Sequence, residues 1–196
     1  MSVSCPAPLA GLRIVDLTTG LAGPYCSKLL VDAGAEVIKV EPPGGDPMRR
    51  WSAFGGPIPG GRDSAFFAFL NAGKQSLVAD PSTDPGRRRL LGLLEEADVL
   101  LEDLEPGGLE RIGLGSEALG RSTSRLATVS LTTFGADGPW SDRPGDEFVL
   151  QALVGSTDAR GLPGETPISV GGRLGDVLLG AMAAPLAVAA ARLAVE

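Results

Sequence analysis

Two short apolar runs joined through one helix-length segment constrain this chain more than any other feature. Residues 12–17 place Ile14 and Val15 at the centre of the first run, with Asp16 near its end and Thr18-Thr19-Gly20 after it. Residues 24–31 have helical character and stop at Asp32-Ala33-Gly34-Ala35. Val37-Ile38-Lys39-Val40 then reads as a second strand, closed by Glu41-Pro42-Pro43-Gly44-Gly45. So compact a strand-helix-strand unit implies a right-handed crossover and parallel pairing. The alternation continues with a helix over residues 87–96, a buried strand at Val99-Leu100-Leu101 and a short helical turn over residues 108–112. A further strand over residues 126–131 leads into Thr132-Thr133-Phe134-Gly135. The pattern predicts a doubly wound, Rossmann-like α/β fold, a parallel sheet with flanking helices that takes its ligands at the carboxyl ends of the strands.

The loops carry the polar chemistry. Residues 42–61 are rich in Gly and Pro and include Asp46, Arg49, Arg50 and Trp51; a loop of that length in a compact domain is often functional. A second such region, residues 156–167, should turn at Gly161-Leu162-Pro163-Gly164. After the first strand the chain reads Thr18-Thr19-Gly20-Leu21-Ala22-Gly23-Pro24, so Thr18 fills the place of the first glycine of a dinucleotide fingerprint. A P-loop is excluded because Gly73-Lys74 is followed by Gln75. Lys39, Arg49, Arg50 and Lys74 remain as candidate phosphate ligands beside a helix N-terminus.

The sequence contains no histidine. Ser-His-Asp and Cys-His triads are therefore excluded within one chain, and the commonest zinc ligand is missing; no metal site is expected. Carboxylates, hydroxyls, thiols or lysines must do any proton transfer or nucleophilic work. Attention falls on Arg143-Pro144-Gly145-Asp146-Glu147-Phe148-Val149-Leu150-Gln151-Ala152, which sets two carboxylates between a Pro-Gly turn and an apolar run that reads as a helix. Acidic residues at such a junction commonly cap the helix or meet the positive end of its dipole.

Composition narrows the partners. With 43% hydrophobic and 21% charged residues the chain is of the soluble globular class, and a net charge of −7 argues against nucleic-acid binding. Cys5 and Cys26 lack metal-type spacing, so a reducing cytoplasm is the simplest expectation, with Cys26 a small buried hydrophobe. Residues 1–9 lack the pattern of a signal peptide. The apolar run over residues 177–191 falls short of the roughly 20 residues of a membrane span and contains Pro185, so a buried helix is expected and no membrane partner.

Several segments, taken in order, resemble the family III CoA-transferases, the CaiB/BaiF group that includes formyl-CoA and carnitine-CoA transferases. They begin with residues 12–17, Ala22-Gly23-Pro24 and residues 30–41. They continue through Gly45-Asp46-Pro47, Leu70-Asn71-Ala72-Gly73-Lys74-Gln75-Ser76-Leu77 and residues 97–102. Phe134-Gly135, Gly138-Pro139-Trp140, residues 143–152, Val170-Gly171 and Asp176 complete the set. The resemblance implies an α/β large domain, a smaller domain and two chains interlocked like links. Its substrates are an acyl-CoA and a free carboxylic acid, between which coenzyme A moves. Residues 1–196 are then expected to be the N-terminal large-domain region, without the small domain and the returning C-terminal segment. The partner is expected to be a second copy or a complementary chain.

The family's nucleophile is an aspartate whose carboxylate attacks the thioester, giving a mixed anhydride and then an enzyme-bound thioester of coenzyme A. Its position is held here by Glu147, one methylene longer, with Asp146 the alternative one residue earlier. The resemblance places Lys39, Leu70, Asn71 and Lys74 near the nucleotide of coenzyme A, and Ala22 and Gly23 in the loop near the thioester. A basic Asn-aromatic-basic-Pro-Gly segment is replaced by Asp103-Leu104-Glu105-Pro106-Gly107, whose acids should repel the coenzyme phosphates. The related racemases need a histidine where Asp146 stands, which makes α-proton chemistry improbable here. Two readings follow: a transferase using Glu147, or a non-catalytic or degenerate half-length subunit that binds a partner chain, with or without coenzyme A.

Overall fold

The structure, a computed structural model, describes residues 7–122 and 125–194, with side chains omitted for residues 121 and 122. Cys5 lies outside the described residues. Five parallel strands form one sheet: β1 (Arg13–Asp16), β2 (Glu36–Glu41), β3 (Gln75–Val78), β4 (Val99–Glu102) and β5 (Ala127–Ser130), in the order β3-β2-β1-β4-β5. The expected doubly wound α/β sheet is the observed one. Alternate residues of the central strands enter opposite cores, as the two-residue period of a strand requires. Ile14, Val37, Val99 and Leu101 pack on one face; Val15, Val40 and Leu100 pack on the other.

The first face is covered by α1 (Ala22–Asp32) and α7 (Leu174–Leu193), the second mainly by α3 (Asp84–Leu94) and α5 (Ser116–Ser122). Pro24 falls in the first turn of α1, where its missing N–H breaks no helical bond. The segment after that helix turns at Gly34, whose φ of +99° suits glycine and whose added Cβ would lie 2.2 Å from Ala7 Cβ. The N-terminus of α3 is capped by Thr83, whose hydroxyl accepts from Gly86 N. A short α4 (Gly108–Arg111) follows β4.

Residues 42–61 are not a featureless loop. Asp46 caps a 3-10 turn, Pro47–Arg50, by accepting from Met48 N at 2.7 Å. Ser64 then caps α2 (Ala65–Asn71), which buries Phe67 and Leu70 against Leu21 and Met48.

The expectation of a buried C-terminal helix needs correction. α7 runs through Pro185 for 20 residues and is long and apolar enough, by length and composition, to cross a membrane. One face is buried, and it is the face of small residues: Gly180, Ala183, Ala184, Ala187 and Ala191. The larger residues Leu178, Met182, Leu186 and Leu193 point outward, with Met182 67% exposed. Small residues let α1 and α7 approach closely: a Cβ on Gly180 would lie 2.4 Å from Ala22 O.

Candidate active site

The sheet reverses its winding between β1 and β4, which are neighbours. Their carboxyl ends therefore open a crevice, the place where ligands bind in sheets of this kind. The two loops that border it are tied by one side chain. Asp103, just after β4, accepts from Thr19 N with both oxygens at 3.0 Å and from Gly20 N at 2.8 Å. Burial pushes its carboxyl above the ordinary aspartate range, against the pull of those amides and of Lys39. Of the two acids expected to repel phosphates, Asp103 is turned onto the amides of Thr19 and Gly20, whereas Glu105 is exposed.

Beneath this loop lies a buried charge cluster. Asp16, at the end of β1, is fully buried and accepts from Thr18 Oγ1 and Ser27 Oγ, each at 2.5 Å. Lys39 Nζ lies 3.0 Å from Asp46 Oδ2 and 3.8 Å from Asp16 Oδ1, and donates to Thr18 O. Lys74 Nζ donates to Asp16 Oδ2 at 3.3 Å, Pro24 O at 3.0 Å and Asn71 Oδ1 at 2.9 Å. Burial alone would raise the Asp16 carboxyl, but the two ammonium groups and two hydroxyls outweigh it and hold its pKa at about 2. Burial would lower Lys39, yet Asp16 and Asp46 carry it above the ordinary lysine value; at Lys74 burial prevails and the shift is downward. Burial, and then the Asp16 charge, push the Cys26 thiol up to about 12, which removes it as a nucleophile.

The carboxylate pair divides its work. Asp146 is the N-cap of α6 (Glu147–Leu153), accepting from Val149 N at 2.9 Å. Glu147, the first residue of that helix, turns its side chain across to the start of α7. Gly175 N lies 2.9 Å from Glu147 Oε1 and 3.0 Å from Oε2, and Gln151 Nε2 donates to Oε1 at 2.7 Å. The carboxylate therefore meets the positive ends of two helices. Glycine at 175 lets the carboxylate come this close; a Cβ there would stand 2.8 Å from Glu147 Oε2 and oblige that side chain to shift. Arg173 caps α7 with a φ of +54°, a strained conformation for a residue with a side chain. Its Nε reaches Asp176 Oδ2 at 2.5 Å.

Two clefts meet at Asp103. One, of about 350 Å³, is lined by Ala22, Leu131, Leu150, Arg173, Gly175 and Asp176 among others. Its larger neighbour, about 550 Å³, adds Arg111 and Arg143, with Asp103 and Leu131 shared. Of the residues singled out from sequence, Ala22 borders the smaller cleft and Glu147 is held by its Gly175. Gly23 packs on Thr18, where a Cβ would approach Thr18 Oγ1 to 2.2 Å. The ammonium ends of Lys39 and Lys74 are enclosed, with side chains 2% and 1% exposed, and face internal carboxylates. Leu70 is core, and Asn71 supports Lys74. Arg49 is gripped by Glu41 and Asp63 and lies over the Phe67 ring, while Arg50 is exposed. Asp16, Thr18 and Ser27 were missed by sequence reasoning as site residues; an aspartate closing an apolar strand before Thr-Thr-Gly was the available signal.

Known proteins share this fold. The chain is similar to "Probable fatty acyl-CoA transferase Rv3272" of Mycobacterium tuberculosis, 40% identical over 169 residues, covering 85% of this chain and 42% of that protein. It is similar to "Succinyl-CoA--L-malate CoA-transferase beta subunit" of Chloroflexus aurantiacus, 38% identical over 165 residues, covering 84% of this chain and 40% of that one. The fold matches the crystal structure of a CAIB/BAIF family protein from Brucella suis with a TM-score of 0.88 and 37% identity, covering 96% of this chain and 50% of that chain. The chain thus spans about half the length of the proteins it matches. A family model described as "CoA-transferase family III" matches residues 9–196, and the chain belongs to that family.

Proposed function

We propose that this chain takes part in the transfer of coenzyme A from an acyl-CoA to a carboxylic acid, with Glu147 as the nucleophile. The observation that carries this reading is the Glu147 carboxylate at the meeting of two helix N-termini, held by Gly175 N on the margin of the switch-point cleft. In the reaction one Glu147 oxygen attacks the thioester carbonyl and coenzyme A leaves as its thiolate, giving a mixed anhydride. The thiolate then attacks the glutamyl carbonyl, releasing the first acid and leaving coenzyme A on Glu147 as a thioester. The acceptor acid reverses these two steps and departs as the new acyl-CoA. The segment Thr18–Pro24, the loop after β1 and the first turn of α1, is pinned from below by Lys39 through Thr18 O and by Lys74 through Pro24 O, and meets the thioester end of coenzyme A along Ala22. Lys39, Leu70, Asn71 and Lys74 serve that loop as internal supports.

The same reading pairs the chain with a second copy or a complementary chain. It is supported by the outward apolar face of α7 and by the relative whose name makes it a beta subunit. The experiment is to mix the protein with an acyl-CoA, trap with hydroxylamine or borohydride, and locate the adduct by mass spectrometry. Modification at Glu147, absent in Glu147→Gln, is the expected result; an unmodified Glu147 under turnover conditions refutes the nucleophile. A second reading, a non-catalytic subunit, is favoured by one observation: both Glu147 oxygens already accept internal hydrogen bonds. Coenzyme A binding by calorimetry together with a size measurement separates the two. An assembly that binds coenzyme A fits the enzyme, and a monomer without affinity fits the subunit.

A further inference from the structure

Asp103 occupies the two backbone amides, of Thr19 and Gly20, that open the first βα loop. Backbone amides in such a place are natural receivers of an anionic oxygen, and here the protein's own carboxylate has taken them. The surrounding charge does not offset it. Asp16, Asp46 and Asp103 face Lys39 and Lys74, so three carboxylates meet two ammonium groups and one negative charge is left over. Among the lining residues of the smaller cleft Arg173 is the one cation, and its guanidinium is held by Asp176 at 2.5 Å. Glu147 adds a further carboxylate behind Gly175. In the neighbouring cleft Arg111 and Arg143 are matched by Glu105 and Asp142, so it supplies no positive surplus. The remaining lining of the smaller cleft is largely apolar, with Leu21, Ala22, Leu131, Leu150 and Leu179.

We infer, on the reading that this cleft receives the acyl end of an acyl-CoA, that Asp103 makes it selective for uncharged acyl groups and excludes monothioesters of dicarboxylic acids. A second carboxylate on the acyl chain would enter a cleft with excess negative charge and find its amide donors already filled. Like-charge exclusion of this kind discriminates partners by raising the cost of the wrong one.

The test compares binding of butyryl-CoA, succinyl-CoA and the methyl ester of succinyl-CoA by calorimetry, with free coenzyme A as the reference. Wild type is expected to prefer butyryl-CoA over succinyl-CoA by about tenfold or more, a size usual for one unfavourable charge contact. The methyl ester, one carbon longer than succinyl-CoA and uncharged at its end, is expected to bind like butyryl-CoA. Asp103→Asn keeps an oxygen for the Gly20 amide and removes the charge, and is expected to cut the preference to about threefold or less by strengthening succinyl-CoA. Equal wild-type affinities, exclusion of the methyl ester along with succinyl-CoA, or an unchanged preference in a folded Asp103→Asn protein would each overturn the assignment. The first two arms need no variant. If free coenzyme A binds while the preference is missing, only the role of Asp103 fails; if neither coenzyme A nor any thioester binds, the proposed function fails with it.

Discussion

Lys39 is enclosed on every side, yet it joins three segments: the end of β1 through Asp16, the following loop through Thr18 O, and the 3-10 turn through Asp46. Removing one partner of a buried ion cluster leaves the others unpaired, at a cost of about 3–5 kcal/mol. Lys39→Met is therefore expected to lower unfolding stability by that order in urea titration. A loss within the scatter of a surface substitution would show that the cluster does not hold the loop. The cluster also sets an acid limit. The Asp16 pKa is moved from the ordinary 3.8 to about 2 in the folded chain, which corresponds to roughly 2 kcal/mol of stability. Because the folded value is the lower one, this contribution is whole above about pH 4 and disappears as the pH falls through about 2. An Asp16→Asn protein should lose stability at neutral pH and show a flatter decline over that acid window, readable by circular dichroism. From the sequence, Lys39 and Lys74 stood out through their motif positions. Their pairing with Asp16 and Asp46 did not, since those acids come from separate segments that only the folded sheet brings together.

At the scale of elements, α1 and α7 cross over a seam of small side chains. Ala at position 180 would press its Cβ into Ala22 O, so Gly180→Ala is expected to cost about 1–3 kcal/mol, seen as a lower urea midpoint. An unchanged midpoint would mean that the two helices part easily. The central strands were legible because each is a short apolar run beside a turn: β1, β2, β4 and β5 all lie where the periodicity placed them, within two residues. β3 was not recognised as a strand, because it is an edge strand with Gln75, Ser76 and Val78 exposed and so lacks a buried pattern. The same limit explains α7. Hydropathy reports that its side chains avoid water, and only tertiary packing reveals that the alanines, not the leucines, are the ones that do so within this chain. The capping of α6 was legible in kind, but its division between Asp146 and Glu147 depended on the position of α7.

For the molecule as a whole, the outward flank of α7 and the exposed Phe148, Leu153 and Val154 around α6 give the first face of the sheet an apolar exterior. Large apolar patches of this kind mark association sites in soluble proteins. The chain is expected to sediment above its 20.0 kDa monomer mass, and Met182→Lys with Leu186→Lys is expected to return it to that mass without lowering the urea midpoint. Monomeric wild-type protein at micromolar concentration would remove the association surface from the proposed function. One helix joins that flank to the chemistry. The N-terminal turn of α7 supplies the Gly175 amide that holds Glu147, and its later turns carry Met182 and Leu186. Between those two ends the helix is clamped on α1 through Gly180, Ala183, Ala184 and Ala187, and Pro185 leaves one gap in its hydrogen-bond ladder. Glu147, carried by α6, is thus anchored through one amide to the helix whose far flank is the outside of the protein.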